Sequence, residues 1–141
     1  MIEHIWTVLC THAVIDGDTN NLSLFDVLEQ LSLKGPKLEA GGLLPFKCEL
    51  VSFWAREDPN QPAKGKARVV LITPSGKELK PHEYAIDLTT FARSRNRTIM
   101  EAVPVPEAGL FAFRTELWDE PKKTWVAQAR TPLSIEHTLA E

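Results

Sequence analysis

Apolar and polar residues alternate with a period of two along most of this chain, the pattern of strands that bury one face and wet the other. The alternation is clearest near the end. Gly109 opens the run Leu110-Phe111-Ala112-Phe113-Arg114-Thr115-Glu116-Leu117-Trp118, the polar turn Asp119-Glu120-Pro121-Lys122-Lys123 follows, and Thr124-Trp125-Val126-Ala127-Gln128-Ala129-Arg130 returns with the same period. Two such runs about a short turn predict a β-hairpin, and Pro132-Leu133-Ser134-Ile135 ends its second strand. Residues 135–141 are expected to add a short helix.

Upstream, residues 3–15 read as a first strand with apolar groups on both faces, and Asp16-Gly17-Asp18-Thr19-Asn20-Asn21 as a turn. Residues 22–33 fit two periods. Leu24, Val27, Leu28 and Leu31 have helical spacing, while Phe25, Val27, Leu31 and Leu33 share one strand face. The strand is the reading adopted, because the confident elements elsewhere are strands. Lys34-Gly35-Pro36 stops it, and residues 39–42 continue an irregular connection. Further strands are expected at 46–56, 67–72, 78–88 and 97–103, separated by the loop 57–62, the turn 73–76 and a polar connection over 89–96 that has room for one helical turn.

About eight strands with a turn every eight to twelve residues predict an all-β fold: a single domain over residues 1–141, a mostly antiparallel β-sandwich with little helix. The expected core includes Trp6, Val8, Phe46, Leu50, Trp54, Val69, Leu71, Ile86, Phe111, Phe113, Trp125 and Ala127. With 43% hydrophobic and 25% charged residues, the composition excludes a disordered chain. No apolar stretch approaches the roughly 20 residues of a spanning helix, so no membrane partner is expected. The net charge of −3 argues against nucleic acid. The opening residues lack a secretory pattern, and Cys10 and Cys48 sit among apolar neighbours as buried, reduced thiols would. A cytoplasmic protein is therefore expected.

Two stretches carry a resemblance. The opening strand with its internal Cys10, followed by Asn20-Asn21-Leu22-Ser23-Leu24-Phe25-Asp26-Val27-Leu28-Glu29-Gln30, resembles a family of small bacterial and phage-encoded β-sandwich proteins of unknown function. The segment from Gly109-Leu110-Phe111-Ala112-Phe113 to Pro132-Leu133-Ser134-Ile135 is similar to that family's closing hairpin. The resemblance implies the fold and brings no activity with it.

Chemistry is sparse. Asp16-Gly17-Asp18-Thr19-Asn20 opens like a calcium loop, but Asn21 stands where the sharp-turn glycine belongs and Val27 where the bidentate glutamate belongs. His4 and His12 lie about 26 Å apart on an extended strand, too far to share a metal. Cys10 and His12 make a ligand pair at most. No metal site and no cofactor are expected. Ser and His residues occur without a local nucleophile signature, and the acid pairs Glu57-Asp58 and Asp119-Glu120 fall in turns. No catalytic residue is assigned.

The densest positive charge is Arg93-Ser94-Arg95-Asn96-Arg97. Strands that alternate in direction gather residues 16–21, 58–64, 89–96 and 119–123 at one end, and 34–44, 74–77 and 104–108 at the other. The first end holds Arg93, Arg95 and Arg97 facing Asp16, Asp18 and Asp58, with Trp118 at the hairpin turn. Arginine beside tryptophan is a recognition composition. The expected function is a binding or adaptor module that takes a protein or a small anionic ligand at this end. A structural or assembly subunit, homo-oligomeric or phage-related, ranks second, and an enzyme third.

Overall fold

Eleven strands make up the computed structural model, which describes residues 1–39 and 41–139 and contains no helix among them. They are β1 (Ile2–Ile15), β2 (Leu22–Val27), β3 (Gln30–Gly35), β4 (Leu43–Leu44), β5 (Cys48–Arg56), β6 (Ala63–Ile72), β7 (His82–Leu88), β8 (Arg93–Met100), β9 (Val103–Pro104), β10 (Gly109–Asp119) and β11 (Thr124–Leu139). One sheet runs β2-β1-β5-β8 and the other β3-β11-β10-β6-β7, with β4 and β9 as a two-stranded clasp. Every pair is antiparallel except β3 with β11. The chain is a single-domain, all-β, mostly antiparallel sandwich.

The two sheets bury two adjoining cores. Leu9, Leu50, Val69, Leu71, Phe111, Phe113, Leu133 and Ile135 fill one, and Trp54, Ala63, Ala67, Ile86 and Leu88 the other. Residues of β5 alternate between them and the outer face, so Leu50 and Trp54 point inward while Glu49 and Val51 point away. The outward pair is nevertheless buried, at 2% and 0% exposure. The reason is β1. Its first half pairs with β5, but from Cys10 onward it pairs with β2 instead, and this β1–β2 hairpin curls across the outer face. Cys10, Ala13 and Val51 form a third cluster beneath it, with Trp6, Leu22 and Leu24 packed on.

Several expectations need correction. Residues 22–33 are extended as expected, but they form two strands in different sheets, broken at Leu28-Glu29 where the chain crosses from one sheet to the other. The connection over 89–96 has no helical turn, because β8 begins at Arg93. Residues 135–139 continue β11 rather than forming a helix, and the last two residues of that expectation lie outside the described ones, as does Ala40 of the 39–42 connection. Trp125 and Ala127 are not in the core. The β10–β11 register slips at Gln128, pairing Thr115 with Ala129 and Glu116 with Ala127, and this bulge turns Trp125 and Ala127 to the outer face. Trp6 and Val8 face outward with Val51, because the extra residue Ile5 shifts the β1–β5 register between His4 and Trp6.

Candidate functional site

The 16–21 turn does not join the other loops expected at one end, because β1 begins beside Arg56 and runs away from it, and the curled hairpin sets Asn20 against Arg95 instead. Loops 57–62, 89–92 and 119–123 do gather at that end of the sandwich. Arg56 ties it together: its guanidinium donates to the carbonyls of Leu88 (2.8 Å), Pro59 (3.0 Å) and Thr89 (3.0 Å). Its backbone N–H donates to Ala92. Loops 57–62 and 89–92 are thereby fixed against each other, and the hairpin turn at Asp119-Glu120 comes up on the far side of Met1. At the opposite end, Gly42, Val105, Ser75 and Glu107 join the remaining loops through the hydrogen bonds Val105 N–H to Gly42 (3.0 Å) and Ser75 N–H to Glu107 (2.9 Å).

The expected site residues do not all meet. Arg97 is bound to Glu49, with Nε donating to Oε1 at 2.7 Å and Nη2 to Oε2 at 3.1 Å. Arg95 donates through Nη2 to the carbonyl (3.0 Å) and Oδ1 (3.1 Å) of Asn20 in the 16–21 turn, so these two arginines hold the curled hairpin down. Arg93 is exposed at the start of β8. Asp16 closes its own turn by accepting the N–H groups of Asp18 and Thr19, both at 2.8 Å, and those bonds, Thr19's first, hold its carboxyl below the usual range. Asp18 is exposed in that turn. Asp58 accepts the N–H of Asn60 at 3.0 Å within loop 57–62. Trp118 belongs to the other sheet.

Trp118 stands at the rim of an open groove of about 620 Å³. Ile2, Leu117 and Val126 form its apolar floor, and Lys64, Lys66, Asp119, Glu120 and Gln128 its polar rim. Beside it, Trp118 and Trp125 meet edge to face at 5.2 Å, and Lys66 Nζ lies 4.8 Å and 5.5 Å from their ring centres. Arg68 Cζ sits 4.4 Å from the Trp125 ring and its Nε donates to Glu116 at 2.8 Å. Trp118 Nε1 donates to Glu120 at 2.6 Å, which fixes the indole, and the Lys123 ammonium, followed by that indole bond, keeps the Glu120 carboxyl below its ordinary range. The result is an apolar trough with a rigid aromatic wall and charge of both signs along its lip, which suits an amphipathic ligand.

Lys66, Val126 and Arg56 were not singled out by the sequence pattern. Lys64-Gly65-Lys66 did carry a signal, since residues two apart share a strand face, but the expected strand began only at Ala67.

A band of polar side chains runs between the two inner cores. His4 Nε2 hydrogen-bonds to Thr7 Oγ1 at 2.6 Å, and Thr7 Oγ1 to Ser52 Oγ at 2.8 Å. The Trp54 indole donates to the Tyr84 hydroxyl at 3.2 Å. Burial lowers the His4 pKa, and Ser52 is 2% exposed, closed to a substrate. Among the described residues no group of three or more His, Cys, Asp or Glu is placed to hold a metal ion. Nor, among the described residues, is any helix long and apolar enough to cross a membrane. No family model and no curated protein matches the chain.

Proposed function

We propose that this protein is a cytoplasmic binding or adaptor module, of the bacterial and phage-encoded kind that its two ends resemble, and that it recognises its partner at one end of the sandwich, where the charged hairpin turn 119–123 meets Met1 and Lys64–Lys66. The groove beside Trp118 is the observation that carries this reading: an apolar floor under a tryptophan wall, rimmed by Lys64, Lys66, Asp119 and Glu120. Such a trough gives an apolar side chain a dry seat while the rim selects its polar neighbours. The two buried, unpaired thiols support a reducing compartment.

Capture from a bacterial lysate tests it. Val126→Glu and Trp118→Ala should abolish capture of whatever the wild-type chain retains, while Lys37→Glu and Lys77→Glu at the opposite end should leave it intact. The reverse pattern sinks the proposal. Arg97 is unsuited to this comparison, because its loss acts on the hairpin rather than on the groove.

One observation favours assembly as the second reading. Val14, Phe25 and Val27 of the curled hairpin are 47%, 45% and 56% exposed, on or beside the edge strand β2. Light scattering discriminates: self-association that Phe25→Glu dissolves supports an assembly subunit, and a monomer at high concentration removes it.

A further inference from the structure

Through Val126 and Gln128 the groove reaches one of two strand edges that, among the described residues, have no paired strand. β3 runs beside β11 only from Ser134 to Leu139, which leaves residues 124–133 of β11 paired on the β10 side alone. In the other sheet β2 pairs with β1 only from Cys10 onward, which leaves the first half of β1 open on the same flank. The corner is uncovered accordingly: Ile5 is 42% exposed and Val126 40%.

The β11 edge is also oriented for use. Ser134 N–H donates to Glu29, so the even-numbered residues near it turn their backbone groups outward, away from β10. Pro132 has no N–H to present there, and Arg130 is the next residue whose donor and acceptor face the open side. Past the Gln128 bulge the alternation reverses, so that Val126, opposite Leu117, turns its backbone groups toward β10, and Trp125 and Ala127 turn theirs to the open side. Natural sheets blunt such edges with charge, proline and bulges. Pro132 and the Gln128 bulge do so in part here, but eight residues, 124–131, remain, long enough for about 26 Å of added strand.

Charge settles what the added strand carries. Arg130 is exposed, stands directly across from Arg114, and pairs with no acid among the described residues, whereas Arg114 is paired with Glu78 and Glu116. A carboxylate opposite Arg130 relieves two like charges side by side. We infer that the partner bound in the groove is an extended peptide segment that adds as a strand along β11 at 124–131, seats an apolar side chain over Leu117 and Val126, and sets an acidic residue beside Arg130. This rests on the groove being the recognition site and specifies the backbone geometry of what enters it.

Light scattering of the full chain comes first: a dimer that Arg130→Glu dissociates puts a second copy on this edge and overturns the peptide. Random twelve-residue peptides displayed on phage are then selected on the full chain, and an enriched sequence is synthesised for titration by amide NMR. The expected peptide alternates apolar and polar residues with at least one Asp or Glu, shifts the amides of 124–131, and loses binding when its alternate backbone nitrogens are methylated. Arg130→Glu should weaken it about tenfold, the order of 1.4 kcal/mol, and a Lys-for-Glu peptide should recover part of that loss. No enriched sequence, or a peptide that shifts other surfaces, overturns both the strand and the groove. A peptide that needs Val126 yet tolerates methylation at every position overturns the added strand and leaves the groove standing.

Discussion

Arg97 and Glu49 form a two-bond ion pair whose polar atoms also hold the backbone of Ala13, a residue on a different strand. Ala13 N–H donates to Glu49 Oε2 at 2.9 Å, and Arg97 Nη2 donates to the Ala13 carbonyl at 3.2 Å. Both backbone groups of Ala13 are thus met by charged side chains, and the curled hairpin is pinned over Val51. Glu49 is 2% exposed, so removing Arg97 takes the counter-charge from a carboxylate held among apolar groups. Arg97→Ala should destabilise by about 3 kcal/mol in urea denaturation, at the low end for a broken buried pair because the arginine keeps some contact with water. Replacing both, as Glu49→Gln with Arg97→Met, should cost less than Arg97→Ala alone. A larger loss in the double variant would show the two residues acting separately.

The same pair sets an acid limit. The Arg97 hydrogen bonds hold the Glu49 carboxyl below its ordinary range, aided by Ala13 N–H and by His12, against the opposing effect of burial. A carboxyl with a depressed folded pKa contributes stability that is complete above its unfolded value, about 4.3, and is lost as pH falls through the folded one. Stability should therefore decline with acid below about pH 4, and Glu49→Gln should flatten that slope. An unchanged slope in the variant would assign acid sensitivity to other carboxylates.

Cys10 and Cys48 are both buried yet lie on opposite faces of their sheet, Cys10 beneath the hairpin and Cys48 between the sheets. Burial raises both thiols, Cys48 to about 11. Each should react slowly with a thiol reagent in the native protein. Arg97→Ala should accelerate Cys10 selectively, since the hairpin opens without parting the sheets. Equal acceleration of both would mean that the hairpin and the sandwich open as one unit.

Between the two inner cores, Thr115 carries a buried hydroxyl with no hydrogen-bond partner among the described residues, on a residue 0% exposed. Thr115→Val keeps the shape and removes the unpaired group, so it should stabilise the protein by about 1 kcal/mol. A destabilised variant would show the hydroxyl bonded through water.

The strands were legible because their alternation is local: the terminal hairpin and the turn at 16–21 follow from period and turn composition, but the end of the sandwich at which that turn lies does not, since β1 runs away from Arg56 and curls. What local period does not carry is a change of face. One extra residue at Gln128 moved Trp125 and Ala127 out of the expected core, and another at Ile5 moved Trp6 and Val8. The same limit hid the arginine arrangement. Arg95 and Arg97 were noticed as a charge cluster, but Glu49, an acid inside the apolar run Cys48-Glu49-Leu50-Val51, was the residue that signalled their role, since a charge there demands a partner. Nothing in the pattern marks where β3 stops covering β11, so the open edge was visible only in the fold.

Gly109 is where the clasp β9 gives way to the long hairpin, and it shows both reasons a glycine is required. Its φ of +131° lies in a region that residues with a side chain rarely adopt. A Cβ built there would sit 2.9 Å from both Cβ and Cγ of Pro74, a rigid ring that has little room to withdraw. Gly109→Ala therefore combines backbone strain with a clash, and Gly109→Val adds a branched carbon to the same contact. Gly109→Val should lower stability by about 3 kcal/mol, the upper range for a strained position, with Gly109→Ala somewhat milder. Pairing Gly109→Ala with Pro74→Ala separates the causes: the second change should recover the clash and leave the strain. Full recovery would mean that the φ angle costs nothing, and a neutral Gly109→Val in chemical denaturation would show that the hairpin enters by another backbone path.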